Sequence, residues 1–298
     1  MNITITGATG FIGRRLVESL VADRHQVHAL CRHTGAGLGD AVWISPWDSS
    51  AEEPPPDSLA NADAVVHLAG EPVAQRWTAQ NKARIRDSRV RGTRHLVQAL
   101  STRSKRPQAL VCASAIGYYG SRGDEILTEA SAPGSGFLPE VCQEWEKEAI
   151  LAEALGIRVV RLRIGVVLGK SGGALAKMLP PFKAGVGGKL GSGKQWMSWI
   201  HLDDLVGLIR HAIEQPLSGA LNGVGPNPAT NAALTSALAG VLRRPAIFPV
   251  PGFVAKTLFG EMAEVILGSQ KVLPKAAEAA GYKFRYPELR GALEEILK

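Results

Sequence analysis

Residues 2–13 read Asn2-Ile3-Thr4-Ile5-Thr6-Gly7-Ala8-Thr9-Gly10-Phe11-Ile12-Gly13. The apolar residues alternate as far as Thr6 and predict a short β-strand, which the glycine cluster follows at once. Apolar residues at helical spacing then predict a helix from Arg14 to Ala22, and a second apolar run predicts a strand from Gln26 to Leu30. This order of strand, glycine turn, helix and strand is typical of a dinucleotide-binding βαβ unit.

The three glycines of this turn have the spacing Gly-x-x-Gly-x-x-Gly. In a βαβ unit the first glycine permits the tight turn, the second lets the backbone approach a pyrophosphate, and the third lets the helix pack close to the sheet. The N–H groups at the start of the helix favour phosphate oxygens. Glycines alone are weak evidence, because many turns contain them, but the flanking strand and helix that the motif requires are both predicted.

The end of the second predicted strand carries Cys31-Arg32-His33 and no carboxylate. A carboxylate at this position would bind the free 2′-hydroxyl of NAD, whereas an arginine would bind the 2′-phosphate of NADP. Arg32 offers a permanent charge and a planar fork that suits phosphate oxygens. The sequence therefore favours NADP(H) over NAD(H). The alternative is that Arg32 is only a solvated residue at a strand end.

Composition excludes several classes of protein. The chain has 298 residues, of which 45% are apolar and 20% charged, as in ordinary globular proteins. No run of some 18 apolar residues occurs, so no membrane-spanning segment is predicted. The first strand follows the initiator methionine directly, which leaves no room for a signal or transit peptide and predicts a cytoplasmic protein.

Metal and nucleic acid are not predicted as ligands. Cys31, Cys112 and Cys142 share no metal-ligand spacing, and neither an HExxH nor a Cys-x-x-Cys pattern occurs. The net charge of +7 suits an anionic ligand. Nucleic acid is a weaker interpretation of this charge, because the basic residues are scattered among acids without aromatic interleaving.

Two later segments add residues to the predicted cofactor site. The strand that begins at Asp63 ends in Leu68-Ala69-Gly70, and small residues at the carboxyl end of a parallel strand leave room for a ligand. Glu71 follows and places a carboxylate there. A helix predicted from Thr78 to about Leu100 carries Arg89 on its inward face, among apolar and small residues. Since buried cations need partners, Arg89 is expected to face a phosphate, a carboxylate or a cofactor hydroxyl.

The next predicted strand, residues 108–113, leads into Ser114-Ala115-Ile116-Gly117-Tyr118-Tyr119-Gly120. Hydroxyl and phenol groups at the carboxyl end of a strand are suited to acid/base work, so Ser114, Tyr118 and Tyr119 are the candidate catalytic residues. Packing of the two tyrosines in the loop is an equally good interpretation. A further helix, residues 140–155, and strand, residues 157–164, continue the alternation, which predicts an α/β fold with a Rossmann-type, doubly wound parallel sheet.

The second half of the chain is less regular. Residues 165–193 are rich in glycine and predict a flexible cover over a bound ligand. Within them, residues 188–194 resemble a P-loop, but Gln195 stands where serine or threonine must hold magnesium, so no ATP or GTP site is expected. The helix after His201 is expected to use Asp203 or Asp204 as its N-cap.

Prolines punctuate the last fifty residues and predict a small lobe. We therefore divide the chain into an NADP-binding Rossmann domain, residues 1–165, and a smaller substrate-side lobe, residues 166–298. Strands and helices of the lobe are expected to return in part to the core, and the lobe includes a C-terminal extension over about residues 247–298.

Several of these motifs occur in the order seen in extended short-chain dehydrogenases/reductases, and the resemblance covers nearly the whole chain. The motifs are Gly7–Gly13, His67–Gly70, Ser114–Gly120, Leu162-Arg163 and Ile200–Asp204. Within that superfamily the chain most resembles the atypical YfcH-type group of NAD(P)-dependent epimerase-like proteins. The details shared with this group are Leu68–Pro72, Gly117–Gly120, Gly165–Leu168 and Trp199–His201. The resemblance also implies that the proline-rich tail is the C-terminal extension of this group.

The chain differs from the superfamily at the positions of the usual catalytic residues. Extended members carry Tyr-x-x-x-Lys, in which tyrosine is the general acid/base and lysine lowers its pKa, and the matching positions here are Leu138 and Cys142. The assisting serine or threonine falls near Ala115, and the arginine that binds a nucleotide sugar falls near Met197. This disfavours UDP-sugar epimerisation by the usual machinery and leaves Ser114, Tyr118, Tyr119 and Glu71 to carry protons. The asparagine common on the long helix aligns with Arg89.

The leading hypothesis is an NADP(H)-binding, epimerase-like oxidoreductase of unknown substrate, although the missing pair leaves catalysis itself open. The predicted cofactor-binding residues are Gly7, Thr9, Gly10, Phe11, Ile12, Gly13, Arg32, His33, Leu68, Ala69, Gly70, Glu71 and Arg89. One alternative is a non-catalytic NADP(H)-binding protein that senses redox state or regulates a partner, and a second is a nucleotide-sugar epimerase. The sequence leaves the substrate and the oligomeric state undetermined.

Overall fold

The computed structural model of the chain describes residues 1–33, 35 and 37–298, with every side chain in these ranges except those of residues 258 and 259. The strands are β1 Asn2–Thr6, β2 Gln26–Cys31, β3 Val42–Pro46, β4 Ala64–His67, β5 Ala109–Ala115, β6 Ile126–Leu127, β7 Arg158–Ile164, β8 Val166–Gly169, β9 Trp196–Met197, β10 Trp199–His201, β11 Gly219–Gly223, β12 Ala229–Thr230 and β13 Lys271–Val272. The α-helices are α1 Phe11–Ala22, α2 Ala79–Ser101, α3 Phe137–Ile150, α4 Gly173–Lys183, α5 Leu202–Glu214, α6 Asn231–Leu242, α7 Gly252–Phe259, α8 Ala263–Leu267, α9 Lys275–Ala279 and α10 Leu289–Ile296.

Seven strands form one parallel sheet in the order β11-β7-β5-β4-β1-β2-β3. The chain moves outward from β1 in one direction through β2 and β3, and in the other direction from β4 onward. The strand order therefore reverses between β1 and β4, and ligands of doubly wound sheets bind at the carboxyl ends of the strands at such a reversal. This topology confirms the predicted Rossmann-type fold.

Helices cover both faces of the sheet. On one face, α1 and α5 bury Leu16 and Ile209 against β1 and its neighbours. On the other face, Leu96 of α2 and Trp145 of α3 pack against Leu110 of β5. Because both faces are covered, β4 is apolar and buried at nearly every position, as parallel strands require.

A third core lies outside the large sheet. Helices α4, α6 and α10 contribute Leu175, Leu238 and Leu293 to it, and Trp199 of β10 is fully buried there. Two small sheets lie within this part of the chain, namely β10 with β8 and β12 with β9, and a third joins β13 to β6 of the first half. Strand β11 leaves the second half and pairs with β7 in the large sheet. The division of the chain at residue 165 stays a prediction.

The predicted N-cap of α5 is wrong. The cap is His201, whose Nδ1 accepts a hydrogen bond from the backbone N–H of Asp203. Asp203 and Asp204 lie in the first turn of the helix instead. The sequence pattern misled because aspartate is a strong capping residue. Here Asp204 is buried and binds backbone groups of the C-terminal segment.

The prediction of a flexible cover over residues 165–193 is wrong for its first part. This part forms β8, which pairs with β10, and helix α4. Three of its glycines, Gly169, Gly172 and Gly173, lie against the ring of Phe11, where an added Cβ would come within 2.5 to 3.0 Å of ring atoms. These glycines allow close packing on the glycine turn between β1 and α1. Among the described residues, no helix is both long enough and apolar enough to cross a bilayer.

Candidate functional site

The turn between β1 and α1 lies at the reversal of strand order and is built from close backbone contacts. Gly7 has a φ of +69°, and a Cβ there would lie 2.7 Å from the backbone of Leu68. A Cβ on Gly13 would overlap the carbonyl oxygen of Gly7. At Gly10, the N-cap of α1, a Cβ would meet only the Gly7 oxygen, at 3.2 Å. The first and third glycines are therefore required by the protein itself, whereas the second leaves room for a ligand.

The amino-terminal end of α1 has no side-chain cap, because its N-cap residue is Gly10. The first N–H groups of this helix can therefore donate to phosphate oxygens. Thr9 is exposed in the same turn, while Ile12 is half-buried against the core below. Phe11 is half-buried and packs toward the start of α4.

Two arginines lie near the end of β2. Arg32 is exposed beside His33, and its charge adds to the hydrogen bonds of Ser50 that lower the pKa of Asp48. Arg14 comes from α1 and donates to the carbonyl oxygens of Thr9 and Gly37, each at 3.1 Å. Burial raises the pKa of Cys31, and the charge of Arg14 opposes this.

The sequence analysis missed Arg14 as a candidate binding residue. Arg14 was predicted only as the first residue of the helix, and the tertiary structure brings its side chain to the end of β2. Its position directly after Gly13 is the one signal in the sequence that could have drawn attention to it.

The carboxyl end of β4 and the long helix α2 meet at Arg89. The backbone N–H of Ala69 donates to Thr6 Oγ1 at 3.1 Å, which fixes the segment beside β1. One guanidinium nitrogen of Arg89 donates to the carbonyl oxygens of Glu71, at 2.9 Å, and Ile85, at 3.0 Å. A Cβ on Gly70 would lie 3.2 Å from the guanidinium carbon. Gly70 therefore lets the cation reach the edge of the cleft.

The direct contacts of Arg89 are carbonyl oxygens and an aromatic ring, while the charge of Glu71 acts on it without a direct ion pair. Its guanidinium lies 5.2 Å from the ring centre of Trp145, and burial lowers the pKa of Arg89. Within the part of the chain that the structure describes, no carboxylate forms an ion pair with it. A half-buried cation in this state favours an anionic or hydroxyl-rich ligand.

Ser114 belongs to a buried network centred on Glu146. Its hydroxyl donates to the Glu146 carboxylate at 2.7 Å. Arg163 donates to both oxygens of this carboxylate, at 2.8 and 2.9 Å, and Arg161 donates at 3.2 Å. Burial opposes the charge of Arg163, but the hydrogen bonds and charge of Glu146 raise its pKa overall. The Ser114 hydroxyl therefore has a structural partner inside the protein.

The sequence analysis missed Glu146 and did not assign Arg163 a role. The signal for Glu146 was a carboxylate beside the inward-facing Trp145 of α3. The signal for Arg163 was an arginine within the apolar strand β7. A cation and an anion predicted to face the same side of neighbouring elements are expected to pair.

The two candidate tyrosines have different surroundings. Tyr119 is fully buried, and its hydroxyl donates to Asn222 Oδ1 at 2.7 Å and accepts from Arg163 at 3.0 Å. Burial raises the pKa of Tyr119. Tyr118 is half-buried, with the Arg163 guanidinium 3.5 Å from its ring centre. Tyr119 is thus packed inside the protein, which was the alternative to a catalytic role, whereas Tyr118 keeps contact with solvent.

The positions of the missing Tyr-x-x-x-Lys pair face the same loop. A Cβ on Gly117 would lie 3.4 Å from Leu138 and 3.9 Å from Cys142 Sγ. Burial raises the pKa of Cys142 to about 11, so its thiol stays protonated at neutral pH. Leu138 and Cys142 therefore cannot replace the tyrosine that acts as general acid and the lysine whose charge lowers its pKa. Met197 lies in β9, where its sulfur is 3.5 Å from Asn231 Nδ2.

Comparison with protein families gives two matches. The NAD dependent epimerase/dehydratase family matches residues 3–224, which include the glycine turn, Arg89 and the Glu146 network. A domain of unknown function, DUF1731, matches residues 250–296. The second match falls within the predicted C-terminal extension.

Relatives align with the chain over its whole length. The chloroplastic SDR39U1 homolog of Arabidopsis thaliana, an epimerase family protein, is 44% identical over 100% of this chain and 87% of its own. The epimerase family protein YfhF of Bacillus subtilis is 37% identical over 100% of this chain and 98% of its own.

Among solved structures, human SDR39U1 crystallised with NADPH superposes with a TM-score of 0.89 and 36% identity over 99% of both chains. A UDP-glucuronic acid 4-epimerase of Bacillus cereus has a TM-score of 0.80 at 19% identity over 99% of this chain and 98% of that one, and it shares the fold alone. The chain therefore belongs to the NAD dependent epimerase/dehydratase family, together with the SDR39U1 epimerase-family proteins.

Proposed function

We propose that the protein binds NADP(H) and acts as an epimerase-like oxidoreductase on a small molecule. The observation that carries this proposal is the glycine turn at the reversal of strand order. Beside this turn, arginines lie near the end of β2, and the segment Cys31–His33 at that end contains no carboxylate. The NADPH in the crystal structure of human SDR39U1 supports the same cofactor here.

Each part of the cofactor has a matching group in the chain. Residues 7–13 and the first turn of α1 would bind the pyrophosphate, and Arg32 with His33 would face the 2′-phosphate. Arg14 would add a second cation there. Leu68–Gly70 and Glu71 would lie beside the adenosine and the linker, and Arg89 would face ribose hydroxyls or phosphate. When bound, NADP(H) would supply or accept a hydride at its nicotinamide ring.

Proton transfer is proposed at Tyr118, with Glu71 as a further acid or base at the mouth of the cleft. Both side chains are half-buried, so they remain accessible to a ligand. Ser114 and Tyr119 were candidates for this task, but their hydroxyls are bound to Glu146, Asn222 and Arg163. We therefore assign these two residues the role of holding the loop that carries Tyr118.

The cofactor proposal is tested by calorimetry with NADPH and NADH. The protein is expected to prefer NADPH, and Arg32→Ala and Arg14→Ala are each expected to weaken NADPH binding roughly tenfold to a hundredfold through loss of a charge-assisted hydrogen bond. Binding of NADH should change little. Arg24→Ala, just beyond the carboxyl end of α1, is the matched control. Equal affinity for the two cofactors, unchanged in both variants, would contradict the proposal.

A second function is supported by the same site. Leu138 and Cys142 replace the usual catalytic pair, which favours a non-catalytic NADP(H)-binding protein that senses redox state or regulates a partner. A screen of carbonyl compounds for NADPH oxidation separates the two functions. Turnover that is lost in Tyr118→Phe and kept in folded Tyr119→Phe supports the enzyme, whereas tight NADPH binding without turnover supports the sensor.

Nucleotide-sugar epimerisation is the weakest of the functions considered. Met197 occupies the position expected for the sugar-nucleotide arginine, and a thioether cannot neutralise a diphosphate. Calorimetry with a UDP-sugar is expected to detect no binding.

A further inference from the structure

Two segments that are distant in the sequence, residues 183–194 and 243–256, lie side by side in the structure. The N–H of Phe248 donates to the Gly187 oxygen at 3.2 Å, and the N–H of Val250 donates to the Lys189 oxygen at 2.9 Å. The N–H of Gly191 donates back to Val250 at 2.8 Å. We call these two paired segments the basic strip.

The basic strip exposes large apolar side chains. Phe253 is 73% exposed and Ile247 is 72% exposed, more than any other large apolar side chain that the structure describes. Val186 and Phe248 are also more than half exposed. Val186 belongs to the first segment and the other three to the second, so exposed apolar side chains occur on both segments. An exposed apolar surface of this kind indicates a binding partner.

The same strip carries cations without acidic neighbours in the sequence. Six exposed basic residues lie on it, namely Lys183, Lys189, Lys194, Arg243, Arg244 and Lys256. No aspartate or glutamate occurs between Glu153 and Asp203 or between Glu214 and Glu261. Over the described residues, none of the six side chains forms an ion pair, whereas Glu261, the first acid after the strip, pairs with Lys82.

We propose that the basic strip docks on the surface of a bilayer that contains anionic phospholipid. Exposed apolar side chains surrounded by lysine and arginine bind such surfaces, since the apolar groups enter the interface while the cations contact headgroup phosphates. Phe248 and Phe253 have rings that can stack on bases, but Ile247 and Val186 beside them have none, and all four side chains can enter a lipid interface, which favours the bilayer over nucleic acid. The docking is peripheral, and it does not depend on the proposed cofactor.

Co-sedimentation of the full chain with vesicles tests this proposal. One set of vesicles contains phosphatidylcholine and phosphatidylglycerol, and the other contains phosphatidylcholine alone. The protein is expected to sediment with the anionic vesicles only, and less at high salt. The double variant Lys189→Gln/Lys256→Gln is expected to bind roughly thirtyfold more weakly through loss of two cations. Ile247→Ser/Phe253→Ser is expected to bind at least about tenfold more weakly.

Matched variants away from the strip are the controls. Trp43, on the edge strand β3, is 63% exposed, and Trp43→Ser is expected to leave vesicle binding unchanged, as is Arg24→Gln/Lys283→Gln. Thermal unfolding and NADPH affinity of every variant check that the fold and the cofactor site are intact.

Three outcomes would overturn the proposal. The first is failure of the wild-type chain to sediment with anionic vesicles, and the second is equal binding to both vesicle types. The third is an equal loss in the control variants. A dimer that is abolished by Ile247→Ser/Phe253→Ser in the absence of vesicle binding would assign the strip to self-association instead.

Discussion

At the scale of single residues, the main feature of the site is that the hydroxyls of Ser114 and Tyr119 form hydrogen bonds inside the protein and have a structural role. Glu146 is only 4% exposed and binds Ser114, Arg161 and Arg163 at once. Loss of this carboxylate would leave two guanidinium groups without their anion, and uncompensated charge away from water is costly. Through Arg163, which also donates to the Tyr119 hydroxyl, this network anchors the loop from Ile116 to Tyr119, where acid/base residues were predicted.

The first prediction concerns this carboxylate. Glu146→Gln is expected to lower the free energy of unfolding by about 3–5 kcal/mol, because two largely buried guanidinium groups lose their anion. Glu144→Gln is the matched control on the same helix, since Glu144 pairs with Arg86 at the surface. That change is expected to cost about 1 kcal/mol or less. Urea denaturation measures both, and equal losses would show that the Glu146 network contributes no more than a surface pair.

The second prediction concerns His67, which is fully buried between Thr6, at 2.7 Å, and Thr93, at 3.1 Å. Burial and then the charge of Arg89 lower the pKa of His67 from 6.5 to about 4. Between these values the unfolded chain binds a proton that the folded chain does not. The stability that depends on neutral His67 is therefore complete above about pH 6.5 and is lost as the pH falls toward about 4.

From about pH 6.5 to about pH 5 this loss is expected to be about 2 kcal/mol. Urea denaturation at both pH values, in the wild type and in His67→Asn, measures it. Contributions of other groups are common to both proteins, so the variant should show the shallower pH dependence by this amount. Identical pH dependence in the two proteins would mean that the unfolded and folded chains bind a proton at His67 equally well.

At the scale of elements, the three glycines of the βαβ unit have different roles. Two of them are required by close backbone contacts within the protein, and one leaves space for a ligand. Gly7 and Gly13 are enclosed by the backbone of the same unit and of β4, whereas Gly10 has a φ of −73° and open space on one side. Only glycine fits the positions of Gly7 and Gly13 without a change in the fold. Gly10 is compatible with alanine in the protein itself.

The third prediction follows from this difference. Gly10→Ala is expected to change the free energy of unfolding by less than about 1 kcal/mol, because its methyl group meets only one oxygen, at 3.2 Å. The same methyl group would stand where the pyrophosphate approaches, so NADPH affinity is expected to fall at least roughly tenfold. Calorimetry and thermal unfolding measure the two effects. Gly13→Ala, by contrast, should lose stability and affinity together, and unchanged affinity in Gly10→Ala would count against the site.

At the scale of the whole molecule, the C-terminal segment is fastened to the large sheet through α5. Asp204 is fully buried and accepts hydrogen bonds from the N–H groups of Arg285, at 2.7 Å, and Tyr286, at 3.0 Å. The Tyr282 hydroxyl donates to the backbone oxygen of Asp204 at 2.8 Å. One carboxylate in the first turn of a helix thus connects the nucleotide-binding fold to the tail.

The fourth prediction is that Asp204→Asn loosens this connection. The amide group would face one backbone donor with its own N–H, which leaves that donor unsatisfied and costs about 1–3 kcal/mol. Hydrogen exchange of residues 282–298 is expected to rise. Asp203→Asn, which removes only a partly exposed pair with Arg15, is the adjacent control and should cost about 1 kcal/mol or less. Exchange of the tail that is unchanged in Asp204→Asn would show that other contacts hold it.

The sequence by itself determined the features that depend on local order along the chain. Residues 2–31 predicted the βαβ unit, because strand, glycine turn and helix are contiguous and each has its own periodicity. The inward position of Arg89 followed from helical spacing on α2, and the alternation of strands and helices predicted the parallel sheet. These inferences need only the 2.0 and 3.6 residue periods of strand and helix.

Only the tertiary structure decided which side chains meet across elements. Ser114 and Glu146 are 32 residues apart, and Glu146 and Arg163 are 17 apart, yet one carboxylate binds both partners. Arg14 reached the end of β2, and the basic strip formed from two segments that the sequence left separate. Such pairings depend on the register and packing of elements that are remote in the chain, and a periodicity along the sequence carries no information about the distance between two remote side chains.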